Sequence, residues 1–215
     1  MAKLWSAFYD EVITDLPGTP PQTLVSNAIR NSTIEFCDRS FVYRIDHVAI
    51  SAVATVAEYA WAPGANLKVV RPELVWYDKK PLIPKTLDEI GGLYPYWPDQ
   101  TGTPIYFIQE KIEQLILIPK PTASLTNAIR AKVSIKPARA ATDIIDEIWE
   151  KYLECIAYGA KYRLLSMNKK PWTDLQMAGV FKTMYEDHIA KARLDTFKGR
   201  VKSRNNQNLG FRRFL

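Results

Sequence analysis

The strongest constraint on the fold of this chain is a helical period that runs through residues 142–201. Within residues 143–167, apolar side chains recur at steps of three and four, which places one apolar stripe on one face of a helix. The members of this stripe are Ile145, Ile148, Tyr152, Ile156, Ala160 and Leu164. Because Gly159 and Ala160 are small and lie on the stripe, we expect a neighbouring helix to approach closely there.

A break divides this stretch into two helices. The first run stops at residues 168–171, Asn-Lys-Lys-Pro, where the asparagine can adopt a left-handed cap and the proline cannot continue a helix. Thr173 and Gln176 have the spacing of a capping box, which predicts the start of a second helix. Its apolar positions are Leu175, Ala178, Phe181, Met184 or Tyr185, Ile189 and Ala192. Because the connection is short, the two helices are predicted to be antiparallel neighbours.

The beginning of the chain also has a helical period. Apolar residues at steps of four predict a helix within residues 3–16, and a second helix is predicted from Thr19 to about residue 38. Thr19 and Gln22 have capping-box spacing, with prolines between them that a first helical turn tolerates. The predicted inner face of this second helix consists of Val25, Ala28, Ile29, Thr33 and Phe36.

Near Ser40 the spacing of apolar residues changes from about 3.6 residues to two residues, and the shorter spacing is typical of strands. Short runs of β-branched and aromatic residues predict an antiparallel sandwich or a small barrel. The predicted strands lie within residues 41–45, 55–61, 67–77, 104–109, 114–119 and 127–136. Pro72 favours an edge or a bulge in the third of them. Residues 86–93 are predicted to form one or two helical turns.

These patterns predict the fold class α+β. Helices from both chain ends, residues 1–40 and 138–201, are predicted to form one bundle that carries an inserted antiparallel β-sandwich or barrel-like module, residues 41–137. Residues 202–215 are predicted to form an extended basic C-terminal arm. The chain shows no secretory signal and no apolar run long enough to span a bilayer, so we expect a soluble protein.

The charge is concentrated at the C-terminal end. Residues 191–215 contain eight basic residues and one acid, a net charge of +7, and the whole chain carries +6, so residues 1–190 carry −1. Residues 203–208 are polar and cannot bury themselves, whereas residues 209–215 bring apolar side chains back. This pattern favours an arm that orders when it docks on another chain. A frayed terminus is the alternative.

We find no set of residues that indicates catalysis or metal binding. The two histidines, His47 and His188, have no ligand partner at helical spacing, and Cys37 and Cys155 are interpreted as buried small hydrophobic residues in a reducing compartment, with a bridge or a reactive thiol as the alternative. An acidic strip on the first hairpin helix is interpreted as a solvated face, with catalytic carboxylates as the alternative. The strip consists of Asp143, Asp146, Glu147, Glu150 and Glu154. The sequence therefore predicts no enzyme, no metal and no cofactor.

The order of several motifs resembles the head–tail adaptor, or connector and head-completion, proteins of tailed bacteriophages. The motifs that carry the resemblance are Leu4-Trp5 and Phe8-Tyr9 with Leu16-Pro17-Gly18, Ala28-Ile29-Arg30 with Glu35-Phe36-Cys37, Trp76-Tyr77-Asp78, Gly102-Thr103-Pro104, residues 115–121, and Ile156-Ala157-Tyr158-Gly159-Ala160 leading to Lys170-Pro171-Trp172. Lys79-Lys80 departs from the Asp-Gly type of turn that such chains often have.

The resemblance implies a structural virion protein at the head–tail interface, present in the host cytoplasm before assembly. It implies a ring of copies, usually a dodecamer, below the portal protein, with a tail or nozzle component below the ring and genome DNA passing through the lumen without sequence-specific contact. It also implies that the arm docks on the portal. The residues expected to do so are Lys202, Arg204, Leu209, Phe211, Arg212, Arg213, Phe214 and Leu215.

A second hypothesis comes from the charge alone. The basic stretch from Lys191 to Arg213 has the composition of a non-specific nucleic-acid-binding tail, with cations for phosphates and phenylalanines for stacking. We find no base-recognition motif in it. Neither hypothesis includes a membrane partner.

Overall fold

The computed structural model describes residues 2–198, so the predicted arm lies outside the described residues. The described helices are α1 Tyr9–Ile13, α2 Gln22–Ser40, α3 Leu87–Leu93, α4 Asp146–Leu165 and α5 Leu175–Lys198, with 3-10 turns at Trp5–Phe8 and Trp97–Asp99. Helices α1, α2 and α5 all pack against α4. The helices from the two ends of the chain therefore meet around α4.

The predicted helical hairpin is confirmed by α4 and α5. Leu165 near the end of α4 packs with Ala178 near the start of α5, whereas Cys155 packs with Ile189, so the two helices are antiparallel. The predicted capping box of Thr173 and Gln176 is wrong. The Asp174 carboxylate caps α5 instead, because it accepts hydrogen bonds from the amides of Gln176 and Met177 at 3.1 and 3.0 Å.

The close approach expected at Gly159 involves two helices. A Cβ atom at this position would lie 2.7 Å from the Tyr185 ring of α5 and 2.8 Å from the Ser32 Cβ of α2. The Tyr185 hydroxyl donates a hydrogen bond to the Ser32 carbonyl oxygen at 2.6 Å, across this contact. The absence of a side chain at Gly159 therefore allows α2, α4 and α5 to pack at one point.

The start of the chain differs from the prediction of one helix over residues 3–16. Strand β1 (Ala2–Leu4) pairs antiparallel with β12 (Asp143–Ile145), and only residues 9–13 are α-helical. The strand pair provides backbone partners for residues 2–4, and the Trp5 indole N–H donates to the Ala141 carbonyl oxygen at 2.8 Å. The predicted start of the first hairpin helix at Asp143 is wrong for the same reason.

Helix α2 confirms the predicted inner face but not the predicted cap. Val25, Ala28, Ile29, Thr33 and Phe36 are all buried. The helix begins after two prolines, and Pro21 occupies the cap position with no side-chain hydrogen bond, so the Thr19–Gln22 capping box does not form.

The β region contains two four-stranded sheets and one further strand pair. Their strands are β2 Arg44–Ala52, β3 Glu58–Ala60, β4 Leu67–Tyr77, β5 Lys80–Pro81, β6 Ile83–Pro84, β7 Thr101–Gly102, β8 Tyr106–Ile108, β9 Gln114–Ile118, β10 Lys120–Pro121 and β11 Leu125–Pro137. The first sheet has the order β2-β11-β4-β5 and the second β3-β9-β8-β6. Pairs β6–β8 and β7–β10 are parallel and the others are antiparallel.

The two sheets contribute to one apolar cluster, in which Val75 and Val133 of the first sheet join Phe107 and Leu117 of the second. Each four-stranded sheet has two edge strands and is therefore open, so the predicted barrel alternative is not found in residues 2–198. Pro72 lies at a register shift in the β4–β11 pair, which confirms the predicted bulge. The structure is thus a mixed α/β fold with mainly antiparallel sheets, and its division into a bundle and a module remains a prediction.

Candidate functional site

The arm predicted to bind the portal lies outside the described residues, and this applies to all eight of its expected contact residues, from Lys202 to Leu215. The structure does describe the last three turns of α5, which precede residues 199–201 and the predicted arm in the sequence. Leu194 and Phe197 lie here and are 55% and 59% exposed. We call this surface, with Phe41, Arg71 and Arg193, the arm root.

Stacking between cations and aromatic rings holds the arm root together. The Arg71 guanidinium carbon of β4 lies 3.7 Å from the Phe41 ring centroid. The Arg193 guanidinium carbon of α5 lies 5.7 Å from both the Phe41 and the Phe197 rings. Such contacts are attractive because the face of an aromatic ring carries negative partial charge. The end of α5 is therefore attached both to the end of α2 and to the first sheet.

Phe41 adopts an unusual backbone conformation. It ends α2 with a φ of 56°, in the left-handed region that bulky residues rarely enter, and its amide donates to the Cys37 carbonyl oxygen at 3.2 Å. Sequence reasoning did not find this residue because a helix end of this type usually has glycine or asparagine. The stacking of Arg71 on its ring offsets part of the cost of this conformation.

An ion-pair network behind the arm root connects the three long helices. Arg39 of α2 donates to Glu186 of α5 through two nitrogens, one at 2.9 Å, and to Glu35 at 3.1 Å. Glu35 also accepts a hydrogen bond from Arg163 of α4. The hydrogen bonds from Arg39 lower the pKa of the Glu186 carboxyl group. Only the Glu35–Arg39 spacing on one helix could have indicated this network from the sequence.

A buried lysine provides a second connection. Lys161 of α4 has a side chain only 2% exposed, and its Nζ donates to an Asp15 carboxylate oxygen at 2.6 Å. The same Nζ lies 5.3 Å from the Phe181 ring centroid. Asp15 belongs to the loop between α1 and α2, so this pair attaches the N-terminal segment to the hairpin.

The two histidines lie apart from each other. The Ala62 amide donates to His47 Nε2 at 2.9 Å, so Nδ1 carries the proton and donates to the Val48 carbonyl oxygen at 2.7 Å. Both ring nitrogens of His47 therefore bind backbone atoms. His188 packs edge-on against Tyr158, with ring centroids 5.6 Å apart. Among residues 2–198, no three His, Cys, Asp or Glu side chains are grouped so that they could hold a metal ion.

The cysteines occupy the positions expected of small hydrophobic residues. Cys37 and Cys155 are buried in one apolar cluster with Tyr185 and carry free thiols. Burial raises the pKa of the Cys155 thiol to about 12 and raises that of Cys37 as well. Because the thiolate is the reactive form, both thiols are poor nucleophiles at neutral pH.

The acidic strip of α4 lies largely on the surface. Glu147, Glu150 and Glu154 are exposed, and Asp146 forms a salt bridge with Lys3 at 3.5 Å. The positions of the three glutamates agree with the interpretation of a solvated helix face, whereas Asp143 belongs to β12 and not to the helix.

The model of the SU10 adaptor protein family matches residues 5–208, which covers nearly the whole chain and extends into the predicted arm. The chain belongs to this family. A search of curated proteins found no match.

Membership of this phage adaptor family confirms the resemblance found in the sequence. The family consists of structural virion proteins that work with other head and tail components, which agrees with the prediction that the adaptor is not an enzyme. In the part of the adaptor from residue 2 to 198, no helix combines the length and the apolar content needed to cross a membrane.

Proposed function

We propose that the adaptor forms a ring below the portal protein and joins the DNA-filled head to the tail, with residues 202–215 docking on the portal. The observation that carries the proposal is the arm root. Through Arg71 and Arg193 it connects the end of α5 to β4 and to Phe41, and Leu194 and Phe197 remain exposed a few residues before the arm in the sequence. A firmly held starting point limits the volume that the arm searches, which lowers the entropic cost of docking.

The composition of the arm indicates the kind of portal surface that it fits. Four cations, Lys202, Arg204, Arg212 and Arg213, accompany four apolar residues. The apolar members are Leu209, Phe211, Phe214 and Leu215. An acidic groove with apolar pockets would complement this pattern, since the pockets provide affinity and the charges provide orientation.

The outer side of α5 supports self-association. Met177, Val180 and Met184 follow helical spacing and are 39%, 41% and 41% exposed, so they form an apolar stripe outside the core. In a ring, each copy presents one face to the next copy, and such a stripe suits this contact. We propose that this stripe contacts a second adaptor copy. The resemblance favours a dodecamer, which cryo-electron microscopy of the assembled complex would count directly.

The remaining partners follow from the position of the ring. A tail or nozzle component would lie below it, genome DNA would pass through its lumen with non-specific contacts to basic residues, and the assembled protein would be part of the virion after synthesis in the host cytoplasm. The proposal includes no cofactor, no catalytic step and no membrane contact.

Deletion of residues 203–215 tests the arm. We expect the truncated adaptor to keep its melting temperature and to lose co-assembly with the purified portal in mass photometry. A matched control replaces residues 205–208, Asn-Asn-Gln-Asn, with a Gly-Ser segment of equal length and keeps Arg204 and residues 209–215, and it should retain co-assembly. Undiminished co-assembly of the truncated protein would refute the role of the arm.

The alternative function is non-specific nucleic-acid binding through Lys191–Arg213, favoured by the net charge of +7 over residues 191–215. It predicts that the isolated protein binds duplex DNA with micromolar or tighter affinity. The logarithm of the binding constant should fall linearly with the logarithm of salt concentration. Negligible binding at physiological salt would exclude this function.

A further inference from the structure

Three loops meet at the end of the first sheet that is remote from α5. They are residues 52–56, which begin at the last residue of β2, the turn at residues 78–79, and residues 121–128, which include the connection from β10 and the first four residues of β11. The loops are joined by hydrogen bonds, from the Ala54 amide to Ser124 Oγ at 2.9 Å and from the Asp78 amide to the Ala128 carbonyl oxygen at 2.9 Å. We call these loops, together with Lys80 and Arg130 beside them, the distal tip.

Backbone strain is concentrated in the distal tip. Of the seven non-glycine residues with positive φ in the described part of the chain, four lie here. They are Thr55 at 62°, Asp78 at 44°, Lys79 at 65° and Asn127 at 53°. Thr55 is β-branched and Lys79 is long, so neither suits the left-handed region. Asp78 and Asn127 are of types that enter this region more readily, so the strain lies mainly at Thr55 and Lys79. Strain of this kind costs stability and is found preferentially at functional sites.

The distal tip also exposes the side chains that a protein interface requires. Val53, Leu125 and Val56 are 50%, 41% and 38% exposed. The tip also contains Lys79, Lys80 and Arg130, which are exposed and form no ion pair with any residue from 2 to 198. Asp78 is the acid within the tip. The tip therefore combines an apolar patch with an excess of positive charge.

Strand β4 separates the distal tip from the arm root. Arg71 contacts Phe41 at the arm root, and β4 runs from there to Tyr77, after which the turn at residues 78–79 begins. A strand rises about 3.3 Å per residue, so the six steps from Arg71 to Tyr77 span about 20 Å. The arm root contacts the middle of β4 and the distal tip adjoins its last residue, so the two surfaces are separated along one strand, as expected if they face different partners.

We propose that the distal tip is the docking surface for the tail component below the ring, and that this component presents acidic side chains around an apolar patch. The inference rests on the proposed function, because it assigns the second partner of the same adaptor. The positive charge selects an acidic partner. The exposed Val53 and Leu125 favour a protein over duplex DNA, whose phosphates offer no apolar contact to these side chains.

Photo-crosslinking in assembled virions tests this assignment. A photoreactive phenylalanine analogue is placed at Val53 or Leu125, and at Val180 of α5 as a control of similar exposure. We expect the two tip positions to crosslink to a tail protein and Val180 to crosslink to a second adaptor copy. Crosslinks from both tip positions to the portal, to another adaptor copy or to nothing would overturn the inference.

Charge reversal provides a quantitative test. The variant Lys79→Glu with Arg130→Glu is compared with Lys169→Glu and Lys170→Glu, two exposed lysines in the loop between α4 and α5. The probe is the tail protein identified by crosslinking, purified and titrated onto the adaptor–portal complex. We expect the tip variant to bind it about tenfold or more weakly, since like charges at an interface are unfavourable, and the control to change less than about twofold.

Portal co-assembly distinguishes a failure of the tip inference from a failure of the proposed function. The tip variant should co-assemble with the portal normally, which also shows that it is folded. Normal portal co-assembly with unchanged tail binding would overturn the tip inference and leave the proposed function intact. An adaptor without its arm that still joins the portal would instead refute the proposed function, whatever the tip does.

Discussion

The helical scaffold around Gly159 and the distal tip differ in their use of glycine. In the scaffold a glycine is needed for space, because α2 and α5 both approach α4 there. In the distal tip glycines would suit the backbone at Thr55, Asp78, Lys79 and Asn127, and yet side chains occupy these positions. The difference indicates that packing determines the residues of the scaffold. In the tip, exposed side chains occupy backbone positions that glycine would suit better.

The substitution Gly159→Ala should have the largest effect. The added Cβ would lie 2.7 Å from the ring of Tyr185, which is fully buried and cannot move aside freely. Overpacking of this kind costs about 1–3 kcal/mol, which we expect as a lower free energy of unfolding in urea. Gly179→Ala is the matched control. It adds a Cβ in open space on α5 and should stabilise the protein by about 0.5–1 kcal/mol. Equal effects of the two substitutions would contradict the packing explanation.

Removal of the hydroxyl group in Tyr185→Phe should have the next largest effect. The substitution keeps the ring in its buried site and deletes only the hydrogen bond to the Ser32 carbonyl oxygen at 2.6 Å. We expect a loss of about 1–1.5 kcal/mol in the free energy of unfolding. Tyr158→Phe, which removes a hydroxyl from a less buried ring, should change stability by less than half as much. Equal losses in the free energy of unfolding for Tyr185→Phe and Tyr158→Phe would show that the hydrogen bond between α5 and α2 adds no stability of its own.

Relief of strain at the tip should act in the opposite direction. Lys79→Gly removes a side chain from a position with a φ of 65°, in the two-residue turn between β4 and β5 where glycine is preferred. We expect a gain of about 0.5–1 kcal/mol, since the relieved strain slightly exceeds the greater entropy of the unfolded chain. Lys80→Gly, one residue later in β5, should give no gain. A destabilising Lys79→Gly would show that the turn is not strained.

The smallest effect should come from the ion-pair network, and it should depend on pH. Arg39 lowers the pKa of Glu186 relative to its unfolded value, so this pair stabilises the fold above the ordinary glutamate range. That contribution disappears as the pH falls through the lowered pKa. Because the Glu186 side chain is 41% exposed, Glu186→Gln should cost only about 0.5 kcal/mol at pH 7. The difference from the parent protein should vanish in thermal melts at acidic pH, and a difference that persists there would contradict this origin.

Much of the helical part could be predicted because its information is local. The apolar period from Ile148 to Leu164 and the small residue at Gly159 determine which face is buried, and both lie within α4. The caps at Thr19 and Thr173 were wrong because Pro21 and Asp174 occupy the positions from which a side chain could cap. The strand β1 could not be predicted, since its three residues depend on partners about 140 positions away.

The candidate surfaces could be predicted from the sequence less well than the fold. The arm is visible in the sequence as a change in charge and polarity. The arm root depends on Arg71 and Phe41 approaching each other from a strand and a helix end, and on a left-handed phenylalanine that no pattern indicates. The distal tip depends on three separate loops. Such surfaces are formed by contacts between distant segments, and the spacing of apolar residues along the sequence does not indicate these contacts.

The position of β4 between the arm root and the distal tip has a mechanical consequence. Its hydrogen bonds to β11 lie across the strand direction and extend from Leu67 to Tyr77. Under the proposed function, tension between a portal held at the arm root and a tail held at the distal tip would act in shear on the β4–β11 bonds between Arg71 and Tyr77 together. If the proposed function is correct, this arrangement would strengthen the connection between the head and the tail.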